Sequence, residues 1–78
     1  MKIEDLFADV LKIPRADVSD TLSMDSDARW DSVRHFALIS AMEKQYAIKF
    51  STEEIYKLKS LPQARELLIR KGVDVSGA

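Results

Sequence analysis

The chain has 78 residues, no cysteine, two glycines, two prolines and a net charge of −1, so one domain with one modest core is expected, unbraced by any disulfide. No apolar run approaches the roughly 20 residues of a membrane span, and 12 basic residues without a stripe or interleaved aromatics point away from nucleic acid. The balance is −4 up to Asp31 and +3 from Ser32 onward, which reads as an ordinary solvated surface.

Ile3, Leu6, Phe7, Val10 and Leu11 recur at i, i+3, i+4, i+7 and i+8, the buried face of a first helix. Pro14 ends it, because proline disfavours a helical residue before it. Residues 14–30 form a long connection rich in Ser and Asp, with Val18, Leu22 and Met24 as its anchors in the core. A connection of that length is unusual in a compact domain and points to local packing or function. A second helix is predicted from Ser32 to about Ala47, with Asp31 as N-cap. Leu38, Ile39, Met42 and Tyr46 share its core face. Val33, Phe36 and Ala37 lie on nearly the opposite side, near Ser32. That second stripe either packs under the long connection or stays exposed for a partner.

Ser51 or Thr52 opens a short helical turn, with Ile55 and Leu58 as its inward edge. Ser60 caps the last helix, and Gln63 three residues later suggests a capping box. Pro62 is tolerable in that first turn, where backbone amides have no intrahelical partner. Leu61, Ala64, Leu67 and Leu68 are its expected buried residues, and Gly72 after Arg70-Lys71 is a C-cap. The reading is an all-α bundle of three main helices and one short one: a single domain over 1–72, then a frayed tail over 73–78.

Few parts for catalysis exist. With one histidine, His35, and no cysteine, a thiol–imidazole pair or a Cys/His metal site cannot be built within one chain. His35 reads as a polar or half-buried residue at the top of the core face. A Ser32–His35 pair lacks any signal for an oxyanion hole or nucleophile elbow. Asp25, Asp27 and Asp31 lack the glycine and bidentate glutamate of a calcium loop, so loop solvation is the better reading and no metal is expected. The start, Met1-Lys2-Ile3-Glu4-Asp5, lacks a signal-peptide layout.

Asp31-Ser32 before a helix is a weak signal alone, since either residue is a common cap. The run from Asp31-Ser32-Val33 through Phe36-Ala37-Leu38-Ile39 to Ile48-Lys49-Phe50 resembles the second helix of acyl carrier proteins. The match continues ungapped through Ser51-Thr52-Glu53-Glu54-Ile55 to Ser60-Leu61, and the first helix and long connection suit the family in length. The resemblance implies an acyl-carrier-like four-helix fold with 4′-phosphopantetheine on Ser32, and Asp31 as part of the motif. The arm's thiol would carry acyl thioesters to enzymes acting in trans, and the carrier itself would catalyse nothing.

By the same resemblance, the second and third helices form the face read by a phosphopantetheinyl transferase and by acyl-loading and acyl-transferring enzymes. Val33, Arg34, Phe36, Ala37 and Ile55 are the candidate contacts. Fatty-acid carriers have a strongly acidic second helix. This chain has Arg34, Ala37 and Lys44 there, followed by Lys49, Lys57 and Lys59. Trp30 and Arg29 replace the glycine-containing lead-in, and Val33 replaces leucine. Because charge complementarity governs partner choice, the expectation is a discrete, monomeric, cytoplasmic carrier of a specialised polyketide, lipid or surface-glycan pathway. An aminoacyl or peptidyl carrier, or an unmodified helical interaction module, stands as the alternative.

Overall fold

Four helices are placed by the periodicities and caps above, and the computed structural model describes residues 2–75. They are α1 (Ile3–Leu11), α2 (Ser32–Tyr46), α3 (Thr52–Lys57) and α4 (Leu61–Arg70), with a single 3-10 turn at Arg15–Asp17. Among the described residues there is no β-strand, only an isolated antiparallel bridge between Ser23 and Ser60. The bundle measures 28 × 28 × 19 Å. The all-α architecture expected from the sequence is the one observed.

Each terminus has a local cause. Helix α1 ends at Lys12, whose left-handed backbone (φ 59°) directs its amide back to the Ala8 carbonyl, two residues before Pro14 can act. Helix α2 ends the same way at Ala47 (φ 55°), whose amide reaches Glu43. Ser51 and Glu54 form a reciprocal capping box at the start of α3. At α4 the expected box is altered. Ser60 Oγ accepts from the Gln63 amide, but the Gln63 side chain accepts from Lys59 N–H, one residue before the cap. Gly72 (φ 85°) follows α4 and returns its amide to Ile69.

Ile3, Leu6, Phe7 and Leu11 of α1 face Leu38, Ile39 and Met42 of α2 in one core, closed by Leu61, Ala64 and Leu68 of α4. Val10, Tyr46 and Leu67, expected in the core, are partly buried at its margin. The long connection is anchored by Val18 and Leu22, both buried, and by Met24, partly so. The amides of Met24 and Leu61 donate to the carbonyls of Lys59 and Leu22. That bridge pins the connection to the α3–α4 link. Val73 donates its amide to Leu68 and lies, with Val75, partly buried against the core. Residues 76–78 of the expected tail lie outside the described residues.

Candidate functional site

Ser32 is the first residue of α2 and is exposed. Asp31 holds the helix start: its carboxylate accepts from the Arg34 amide at 2.9 Å, and its carbonyl accepts from the His35 amide at 2.8 Å. First-turn amides have no intrahelical carbonyl. Asp31 satisfies the third, which leaves those of Ser32 and Val33 without a protein partner among the described residues. The Ser32 hydroxyl likewise makes no side-chain hydrogen bond among them.

Beneath the serine lies a polar relay that periodicity cannot reveal. Trp30, expected only as an unusual lead-in residue, is 1% exposed and packs edge-on against Phe7 at 5.3 Å. Its indole Nε1 donates to His35 Nδ1 at 3.1 Å, and His35 Nε2 lies 2.7 Å from the Ile55 carbonyl. An indole N–H only donates and a carbonyl only accepts. Both bonds therefore form together only in the neutral imidazole with its proton on Nε2. His35 is buried, deeper than the half-buried position expected, and both ring nitrogens are satisfied there. The relay joins the long connection, α2 and α3.

Arg34 was expected as a charge on the docking face. In the structure its guanidinium donates to the Leu11 carbonyl at 2.7 Å and the Val10 carbonyl at 3.3 Å, and the residue stays partly exposed. It thereby caps the C-terminus of α1, where carbonyls lack intrahelical donors and the helix dipole favours a cation. The side chain thus links α2 to the end of α1.

The alternatives left open for the second stripe of α2 are resolved. Val33 is 78% exposed, Phe36 53% exposed and Ala37 exposed, so the long connection does not cover them. Ile55 is half-buried. Tyr56, absent from the expected contacts, joins this rim at 69% exposure. Its sequence signal was available: it follows Ile55 on a six-residue helix and falls off the inward edge. A cavity of about 130 Å³ opens between α2 and α3, lined by Ser32, Phe36, Ile55, Tyr56, Met24 and Lys59 with His35 among them. Lys59 forms no ion pair among the described residues. Lys57, by contrast, is neutralised by Glu53 one turn earlier at 2.7 Å.

The aspartates before α2 do not converge. Arg29 grips Asp27 through its side chain and its amide, which holds the Asp27 carboxyl down to about 2. Asp31 is the cap. No group of three His, Asp or Glu side chains is placed to share a metal ion among the described residues.

Comparison with known proteins gives two findings. Residues 2–68 match the family described as the phosphopantetheine attachment site. Over 70 residues the chain is 30% identical to the polyketide-8 synthase acyl carrier protein 2 of Streptomyces avermitilis, covering 90% of this chain and 80% of that protein. The group named by that family fits what is present here. A phosphodiester needs an accessible hydroxyl, and Ser32 supplies one that has no hydrogen bond among the described residues, beside two amides likewise without a partner among them and an open cleft.

Proposed function

The chain belongs to the acyl carrier protein family, whose cofactor is 4′-phosphopantetheine, and from that premise we propose that Ser32 is its attachment residue. The observation that carries this reading is the exposed Ser32 hydroxyl, without a hydrogen bond among the described residues, at the first position of α2 and inside the matched region. In the modification, Ser32 Oγ forms a bond to the pantetheine-side phosphorus of coenzyme A. That phosphorus releases its bridging oxygen with adenosine 3′,5′-bisphosphate, and the serine proton passes to the transferase. The attached arm supplies a thiol on which acyl groups ride as thioesters.

The remaining work of this chain is presentation. Val33, Phe36, Ala37 and Ile55, joined by Tyr56, form the apolar face that transferase and acyl-loading enzymes meet. Arg34 braces that face from behind. The cargo is an acyl group of a specialised pathway; the name of the Streptomyces relative supports a polyketide-type cargo over an aminoacyl one. Coenzyme A and its transferase act in the cytoplasm, where this reading puts the protein.

Incubation with coenzyme A and a broad-specificity phosphopantetheinyl transferase, followed by intact mass measurement, tests the attachment. The expected result is the gain of one phosphopantetheinyl group, abolished in Ser32→Ala. No adduct, or an adduct that survives that substitution, overturns the reading in favour of an unmodified interaction module. Phe36→Ala in the folded, modified carrier is expected to slow acyl loading about tenfold, the loss typical of a central interface contact. Unchanged loading rates would remove Phe36 from the docking face.

A further inference from the structure

Helix α3 carries Ile55 and Tyr56 of the docking face, yet none of its six residues is buried. The carbonyls at its end need donors from outside the helix. The Glu54 carbonyl accepts from the Leu58 amide, but the Lys59 amide, which would serve Ile55 in a continued helix, donates to Gln63 Oε1. His35 Nε2, 2.7 Å from the Ile55 carbonyl, takes that place and ties the α3 backbone to α2. We infer that His35 is a positioning residue for the docking face: it holds α3, with Ile55 and Tyr56, in register with Ser32, and only while its ring is neutral. This role rests on Ser32 being the attachment residue and on α2 and α3 forming the face its enzymes meet.

The condition follows from the two partners. The Trp30 indole only donates and the Ile55 carbonyl only accepts, so the ring must accept at Nδ1 and donate at Nε2. A second proton lands on Nδ1 and sets N–H against N–H across 3.1 Å. The indole has no room to retreat: Trp30 is 1% exposed and packed edge-on against Phe7 of α1. The charged ring must therefore turn, and turning takes Nε2 off the Ile55 carbonyl.

Nothing around the ring compensates that charge. On α2 itself, Phe36 lies beside it at 6.2 Å between ring centroids, the Asp31 carboxylate is turned to the Arg34 amide, and the Arg34 guanidinium reaches α1. From α3 and the link after it, Ile55, Tyr56 and Lys59 line the same cleft, and no carboxylate does. Lys59 is a like charge to an imidazolium. The sign is fixed by these contacts. Helix α3 is held above the midpoint of the His35 titration and released as pH falls through it. Ser32 stays where it is, because Asp31 caps α2 independently of the relay.

The test is NMR of the whole nitrogen-labelled chain from about pH 7.5 to about pH 5, the interval in which an imidazole is the side chain that titrates. At the upper end the ring is expected as the Nε2–H tautomer. On acidification the Ile55 and Tyr56 amides and the Trp30 indole N–H should shift together with the His35 ring, while α1 and α4 keep their positions. A ring protonated on Nδ1 at about pH 7.5, or α3 signals that stay in place throughout, overturns the inference. The second readout is the KM of a broad-specificity phosphopantetheinyl transferase for the carrier, with coenzyme A saturating, against the same measurement on His35→Gln. A glutamine amide accepts and donates as the neutral ring does, and it carries no charge. The two carriers should match at about pH 7.5. One pH unit below the ring's measured midpoint, where about a tenth of it is neutral, the wild-type KM should exceed the variant's by about tenfold, with kcat shared. Equal KM values across the series, while α3 moves, overturn the positioning role. If His35→Gln does not fold, the wild-type spectra decide. A protein that takes no arm at Ser32 at any pH overturns the attachment reading and this role together, and intact mass identifies that case.

Discussion

At the residue scale, two side chains near Ser32 have structural duties that their positions on α2 conceal. His35 accepts from Trp30 and donates to Ile55, so its removal strands a buried indole N–H. Leaving such a donor unsatisfied costs about 1–3 kcal/mol, and His35→Ala is expected to lower unfolding stability by about that amount. Urea denaturation followed by Trp30 fluorescence measures it, and a loss under 0.5 kcal/mol would contradict the buried relay. Arg34 donates to two carbonyls at the end of α1. Arg34→Glu replaces a favourable cation with an anion facing the negative end of a helix dipole, and about 1–2 kcal/mol of destabilisation is expected. Thermal melting should show it before any partner is added. A loading defect in Arg34→Glu is therefore to be read alongside its melting temperature.

At the element scale, two helices end on left-handed residues that are not glycine. Ala47 closes α2 at φ 55°, a conformation in which a Cβ is unfavourable by about 1–2 kcal/mol. Ala47→Gly relieves that crowding, while the larger freedom of glycine in the unfolded chain offsets part of the gain. The expected net effect is stabilisation of about 0.5–1 kcal/mol, seen as a raised urea midpoint with unchanged slope. The core face of α2 runs the other way. Ile39 is 4% exposed, and Ile39→Ala should cost about 2–4 kcal/mol by lost burial and cavity formation.

At the scale of the whole molecule, ion pairs tie together segments far apart in the chain. Arg65 of α4 reaches Glu4 of α1 at 2.9 Å and Asp20 of the long connection at 3.0 Å. Lys71 reaches Glu54 at 2.9 Å while lying over the Phe50 ring. Burial alone would raise the Glu4 carboxyl, but its own backbone amide and Arg65 outweigh it, and the group titrates below its ordinary value. The Ser51 amide and then Lys71 lower Glu54 likewise. A carboxylate lowered on folding stabilises the native state above the unfolded value, and that contribution is lost as pH falls through the folded one. The contribution of these two carboxylates should accordingly be full above the ordinary carboxylate range near ~4.3 and be lost below it. Urea midpoints across pH test this, and Glu54→Gln should shallow the acid limb.

Much of this protein was determined within a few residues of each position. Apolar spacing at three and four placed α1, α2 and α4, and the Asp31, Ser51 and Ser60 caps marked the starts of α2, α3 and α4, because helix formation depends on near neighbours in sequence. The same locality made Ser32 legible as an exposed first-turn hydroxyl, and the ungapped pattern around it pointed to a carrier. Contacts between distant residues were decided only by the tertiary structure. Arg34 meets carbonyls more than twenty positions away, Ile55 closes a relay begun at Trp30, and Lys59 arrives beside Ser32 through its bridge to Met24. A helical period says which side of α2 a residue occupies. It does not say whether that side meets another element or water, and so the exposure of Val33 and Phe36 had to be seen in the fold.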